Sequence, residues 1–129
     1  SSDLVSASQE ILDKAMKIND IYFVSHILPD GFTSDDARNL TLHLRDKNHQ
    51  KSSVVAVGGQ SEGKPFIIVA TNEDSRKQGA KAGQLVKLAA TVLGGGGGGK
   101  DDLAQAGGVD TAKISEAISQ ISESLRSLP

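Results

Sequence analysis

Six consecutive glycines, Gly94 to Gly99, constrain this chain more than any other stretch of it. A glycine loses about 0.5–1 kcal/mol more backbone entropy on ordering than alanine does, so fixing all six is expensive. Such a run either stays mobile as a linker or is ordered because something must come close to the bare main chain. Before it stands a helical pattern, with Ala82, Leu85, Val86, Ala89 and Leu93 on one side and a stop at Gly94. After it come Lys100, Asp101 and, soon after, Ala104-Gln105-Ala106-Gly107-Gly108. The run satisfies G-x-G-x-x-G trivially, and Gly94 to Lys100 fits G-x-x-x-x-G-K. However, Asp101 stands where a P-loop needs Ser or Thr for its metal ion. The context differs as well, because phosphates in a P-loop meet a helix N-terminus and here the run follows a helix C-terminus. A nucleotide triphosphatase is therefore not indicated.

Charge placement says more than the net charge of −2. Residues 75–100 hold Arg76, Lys77, Lys81, Lys87 and Lys100 with no acid, a net +5, whereas the segments on either side are negative. At 100° per residue Lys77, Lys81, Gln84, Lys87 and Thr91 fall on one face of the helix that leads into the glycines. A solvated helix face usually mixes signs, and an unmixed cationic strip attracts polyanions even on an acidic protein.

The remaining chain reads as one domain of α/β class, a small mixed sheet packed with helices. Leu4, Ile11 and Ile18 recur every seven residues, the mark of a terminal helix that either continues a coiled coil or packs on its own domain. Residues 1–19 are read as the end of a helical, coiled-coil-like segment and 20–129 as the globular part. Ile21 to Val24 is β-prone and closes at Pro29-Asp30-Gly31. Thr33 caps a helix carrying Ala37, Leu40, Thr41 and Leu44. Val54 to Val57 and Phe66 to Ala70 are strands covered on both faces, joined by a hairpin loop over Gly58 to Gly63. A short strand follows the glycine run, and Asp110 opens a last helix with Ile114, Ala117, Ile118, Ile121, Leu125 and Leu128.

Several function classes drop out. With no Cys there is no thiol nucleophile and no Cys-based zinc site, which fits a reducing compartment. His26, His43 and His49 have no metal-ligand spacing, and no Ser/His/Asp arrangement is visible, so no metal site and no catalytic residue are expected. No apolar run approaches the roughly 20 residues of a membrane span, so no membrane partner is expected. Ser1-Ser2-Asp3-Leu4 lacks the marks of a signal peptide and reads as a cut end. Tyr22, Phe23, Phe32 and Phe66 are too few to stack several unpaired bases.

Gly94 to Gly99 with Lys100-Asp101-Asp102-Leu103-Ala104-Gln105-Ala106-Gly107-Gly108 resembles the signature of the DHH-associated domain, in the version that ends alanyl-tRNA synthetases. Lys81-Ala82-Gly83-Gln84-Leu85-Val86-Lys87 is similar to that family's helix before the loop, and the likeness is closest from Asp74 to Gly108. The resemblance implies a cytoplasmic, non-catalytic tRNA-binding module. It would grip the outer corner of tRNA, with tRNA-Ala as partner, beside the other domains of a synthetase and in some members as a homodimer. No cofactor is expected in this fragment; ATP, Mg and Zn would serve other domains of the enzyme it resembles. The family usually carries Arg-Pro after the glycines, where this chain has Lys100-Asp101: lysine keeps the charge without arginine's fork, and Asp101 adds a negative charge.

On this reading the nucleic-acid contacts are Lys77, Lys81, Lys87, Gly94, Gly95, Gly96, Gly97, Gly98, Gly99, Lys100 and Gln105, and self-association uses Leu4, Ile11 and Ile18. Main-chain N–H groups would meet ribose or phosphate oxygens while the lysines supply charge. The alternatives are a substrate-binding lobe of a DHH-family phosphoesterase and a self-association module with no nucleic-acid role.

Overall fold

A strand that is apolar at every position needs cover on both faces, and the sheet finds it from helices on either side. The computed structural model describes residues 7–48 and 51–128. In chain order these form α1 (Ser8–Asp13), β1 (Met16–Ile18), β2 (Ile21–Ile27), α2 (Ser34–Lys47), β3 (Ser53–Ser61), β4 (Lys64–Thr71), α3 (Glu73–Lys77), α4 (Ala82–Leu93), β5 (Gly97–Gly99), β6 (Leu103–Gly107) and α5 (Ile114–Arg126). One six-stranded sheet runs β1-β2-β3-β4-β6-β5. Only the β2–β3 pair is parallel, with α2 as its crossover, so the α/β class with a mixed sheet holds.

Strand alternation sorts the apolar residues into two cores. Val54, Ala56, Ile67, Val69, Ala104 and Ala106 face α4 and α5. Val55, Val57, Phe66 and Ile68 face α2, where Ala37, Leu40 and Leu44 meet them. Thr33 begins α2 with a reciprocal cap: its hydroxyl accepts from the Asp36 N–H, and the Asp36 carboxylate accepts from the Thr33 N–H.

Four expectations change. The N-terminal helix stops at Asp13, and Ile18 lies in β1 instead of on it. Asn19 takes φ +56 in a two-residue turn and its amide donates to the Leu125 carbonyl at 3.0 Å, which folds β1 back on β2. Residues 16–18 thus belong to the sheet of the globular part. Ile11 is buried against α2 and Ile18 is buried in the core on the opposite face of the sheet, so these two do not form one self-association stripe. Leu4 and His49 lie outside the described residues.

The β3–β4 connection is only Glu62-Gly63, both at positive φ, and Gly58 to Ser61 belong to β3. Gly58 lets Ile114 of α5 pack on the strand: a Cβ there would stand 2.7 Å from its Cγ2. Lys77 ends the separate helix α3, and Gly79 at φ +103 turns the chain before α4, so Lys77 does not share the α4 face. Finally, Gly97–Gly99 form a strand within what reads as a loop.

Candidate nucleic-acid interface

The glycine run is ordered, and its glycines serve different ends. Gly94 ends α4 in the left-handed conformation at φ 79, and the Gly95 N–H donates to the Ala90 carbonyl at 3.0 Å. Backbone crowding dictates Gly95, where a Cβ would lie 2.3 Å from the Gly107 oxygen. Gly99 has φ +151, and a Cβ there would lie 2.6 Å from the Ala104 Cα. Gly96 and Gly98 are different: a Cβ on either meets nothing within 4 Å. Packing therefore gives no reason for a glycine at these two positions.

Hydrogen bonding sets which way the run faces. The Gly107 N–H donates to the Gly96 carbonyl at 2.9 Å and the Lys100 N–H to the Leu103 carbonyl at 3.0 Å. Antiparallel alternation then turns the N–H groups of Gly97 and Gly99 to the free edge of the sheet, because β5 is the last strand. Past β5 the chain is anchored at Asp101, whose carbonyl accepts from the Thr71 hydroxyl at 2.6 Å and the Ala82 N–H at 2.9 Å. The Thr71 N–H donates to the Asp102 carbonyl. What stands at 101 is held by its main chain.

On the α2 side of β5 and β6 lies an open cleft of about 380 Å³, lined by Arg38, Gly98, Lys100, Asp102 and Gln105 among others. Ala104 and Ala106 point to the α4 core, so Gln105 points the other way, opposite Gly98, whose missing side chain leaves it uncovered. Arg38 reaches this cleft from α2. Of the four arginines, Arg45 pairs with Asp46, Arg76 donates to the Thr71 carbonyl and Arg126 pairs with Glu123. Arg38 has no polar partner among the described residues, and it is exposed. No local sequence signal marks it, because it lies 60 positions from Gly98 and in a negative segment. Only the crossover helix brings it there.

The α4 lysines occupy the other side of the sheet. Gly83 packs beneath the end of β5, where a Cβ would lie 3.3 Å from the Gly99 oxygen. Lys87 follows one turn after Gly83 and is exposed. Lys81 is exposed at the α4 N-cap. Lys77 ends α3, with Glu73 3.8 Å from its ammonium. Lys100 and Gln105 thus line the cleft with Gly98 and Gly99, and Lys81 and Lys100 each stand one residue before the Ala82–Asp101 hydrogen bond; Lys87 lies further along α4 and Lys77 on α3. Among the described residues no three His, Asp or Glu side chains gather as for a metal ion.

Residues 19–127 match the DHHA1 domain. The chain is 44% identical over 122 residues to an alanine–tRNA ligase of Paenarthrobacter aurescens, covering 95% of this chain and 14% of that protein. It therefore spans about one seventh of the length of such relatives. Among solved structures it is similar to the C-Ala domain of Aquifex aeolicus alanyl-tRNA synthetase, with TM-score 0.78 and 26% identity, over 88% of this chain and 98% of that one. It shares its fold with part of RecJ from Thermus thermophilus, with TM-score 0.64 and 13% identity, over 99% of this chain and 18% of that one.

Proposed function

The chain belongs to the DHHA1 domain family, and from that premise we propose that it is a non-catalytic tRNA-binding module of an alanyl-tRNA synthetase. It grips the outer corner of tRNA-Ala and helps aminoacylation and editing carried out by other domains. The observation that carries this reading is the β5 edge, where main-chain N–H groups without side chains lie beside Lys100 and Arg38, with α4, the helix of Lys87 that Lys81 caps, packed on the other face. Amides of this kind suit phosphate and ribose oxygens, and the cations supply a salt-dependent attraction that the net charge of −2 conceals. Any ATP, Mg or Zn belongs to the rest of the enzyme. The similarity to alanine–tRNA ligase over most of this chain favours the synthetase over a phosphoesterase lobe.

Electrophoretic titration of tRNA against the Lys81→Glu, Lys87→Glu double variant tests the reading. Binding should weaken at least about tenfold, and the slope of log K against log salt should become shallower. Unchanged affinity and an unchanged slope would remove the α4 lysines from the interface.

A further inference from the structure

Resting on the RNA-binding reading, we infer that β5 is a blade that enters the minor groove of an A-form RNA helix, with cations from its two faces reaching phosphates on either side. Three observations lead there.

The first is that positive charge flanks the strand on both faces. Arg38, without a polar partner among the described residues, borders the cleft on the α2 face, and α4, which carries the exposed Lys87 one turn after Gly83, packs on the other face. A single strand lying on one surface has no use for cations on both. A groove with a phosphate rail along each wall does.

The second is the edge itself. Gly97 and Gly99 direct main-chain N–H groups outward, and their glycine neighbours put no side chain in front of them. The shallow minor groove of A-form RNA displays 2′-hydroxyls, which donate and accept, so a bare strand edge can pair with them. B-form DNA offers a narrower minor groove without that hydroxyl. Packing leaves Gly96 and Gly98 unexplained, yet a blade of this kind has reason to lack a side chain at both.

The third concerns stacking. Phe23 and Phe66 are buried, Phe32 packs beside α2, and Tyr22 lies under the Lys51 ammonium at 4.7 Å from the ring centre. None of the chain's four aromatics lines the cleft at β5. Unpaired bases find no platform there, which points to a paired helix.

Asp102 also lines the cleft and opposes phosphate on the Arg38 side, so Asp102→Asn should tighten binding.

Fluorescence anisotropy on the 129-residue chain, at one salt concentration, compares an RNA hairpin, the DNA hairpin of the same sequence and the unpaired RNA strand. The expected result is at least about tenfold tighter binding of the RNA hairpin than of either other probe. Equal affinity for the DNA hairpin or the single strand overturns the groove assignment and leaves tRNA binding standing. No binding of any probe, nor of tRNA, overturns both. In a second arm, Arg38→Ala and Lys87→Ala should each weaken hairpin binding about threefold to tenfold and each lower the salt slope by about one. If only one of them does so, the two-faced contact is excluded.

Discussion

Gly98 and Gly99 are neighbours in sequence and opposites in what they require. A methyl on Gly98 meets open space, whereas one on Gly99 collides with Ala104 on a backbone at φ +151. Gly99→Ala should therefore cost about 1–3 kcal/mol in urea unfolding, through strain and crowding. Gly98→Ala should leave the unfolding midpoint in place or raise it slightly, since alanine lowers the entropy of the unfolded chain. Its effect should appear instead as weaker RNA binding in the same anisotropy titration. His26 is a second case where surroundings decide. Burial first, and the charge of Lys14 second, hold its imidazole below its usual value of 6.5. The unfolded chain then binds the proton more readily, so stability is complete above about pH 6.5 and declines as pH falls towards the folded value. Replacing His26 with Gln should flatten that part of a stability–pH curve measured by denaturant titration.

Among the elements, α2 has the most to do, because it links the parallel strands, covers one face of the sheet and carries Arg38. Its reciprocal cap at Thr33 and Asp36 holds the first turn, one turn before Arg38. Thr33→Ala should cost about 1 kcal/mol, read from the chemical midpoint, and should loosen RNA binding as the Arg38 turn frays. The N–H bond from Thr33 lowers the Asp36 carboxyl below its usual 3.8, so the cap's contribution holds at neutral pH and disappears as acid protonates Asp36. Thr33 as the cap is legible in the sequence, as is the helix stripe of Ala37, Leu40, Thr41 and Leu44, because both are local patterns. The strand β1 is not. A seven-residue repeat of Leu4, Ile11 and Ile18 outweighed the Asn19-Asp20 turn, although a two-residue turn with Asn at positive φ is a hairpin signal. Likewise β5 contains only glycine, which carries no strand propensity, and it exists because β6 pairs with it.

For the molecule as a whole, two cores share one sheet, so neither face can be lost alone. Leu40→Ala beneath α2 and Ile121→Ala beneath α5 should each cost about 2–5 kcal/mol. In both variants circular dichroism and Tyr22 fluorescence should unfold together, because the six strands couple the faces. Separate transitions by the two probes would mean that the layers fold independently.

Periodicity and turn residues were enough to read the α/β class, the two central strands and the helices α2, α4 and α5, because those signals lie within a turn or two of the chain. The candidate interface is another matter. That Arg38 borders the cleft at β5, that α4 packs on the other face of that strand, and that Gly98 is free of packing demands all depend on residues far apart in sequence. The crossover of α2 and the pairing of β5 with β6 bring those groups together, and no local pattern encodes the distance between them.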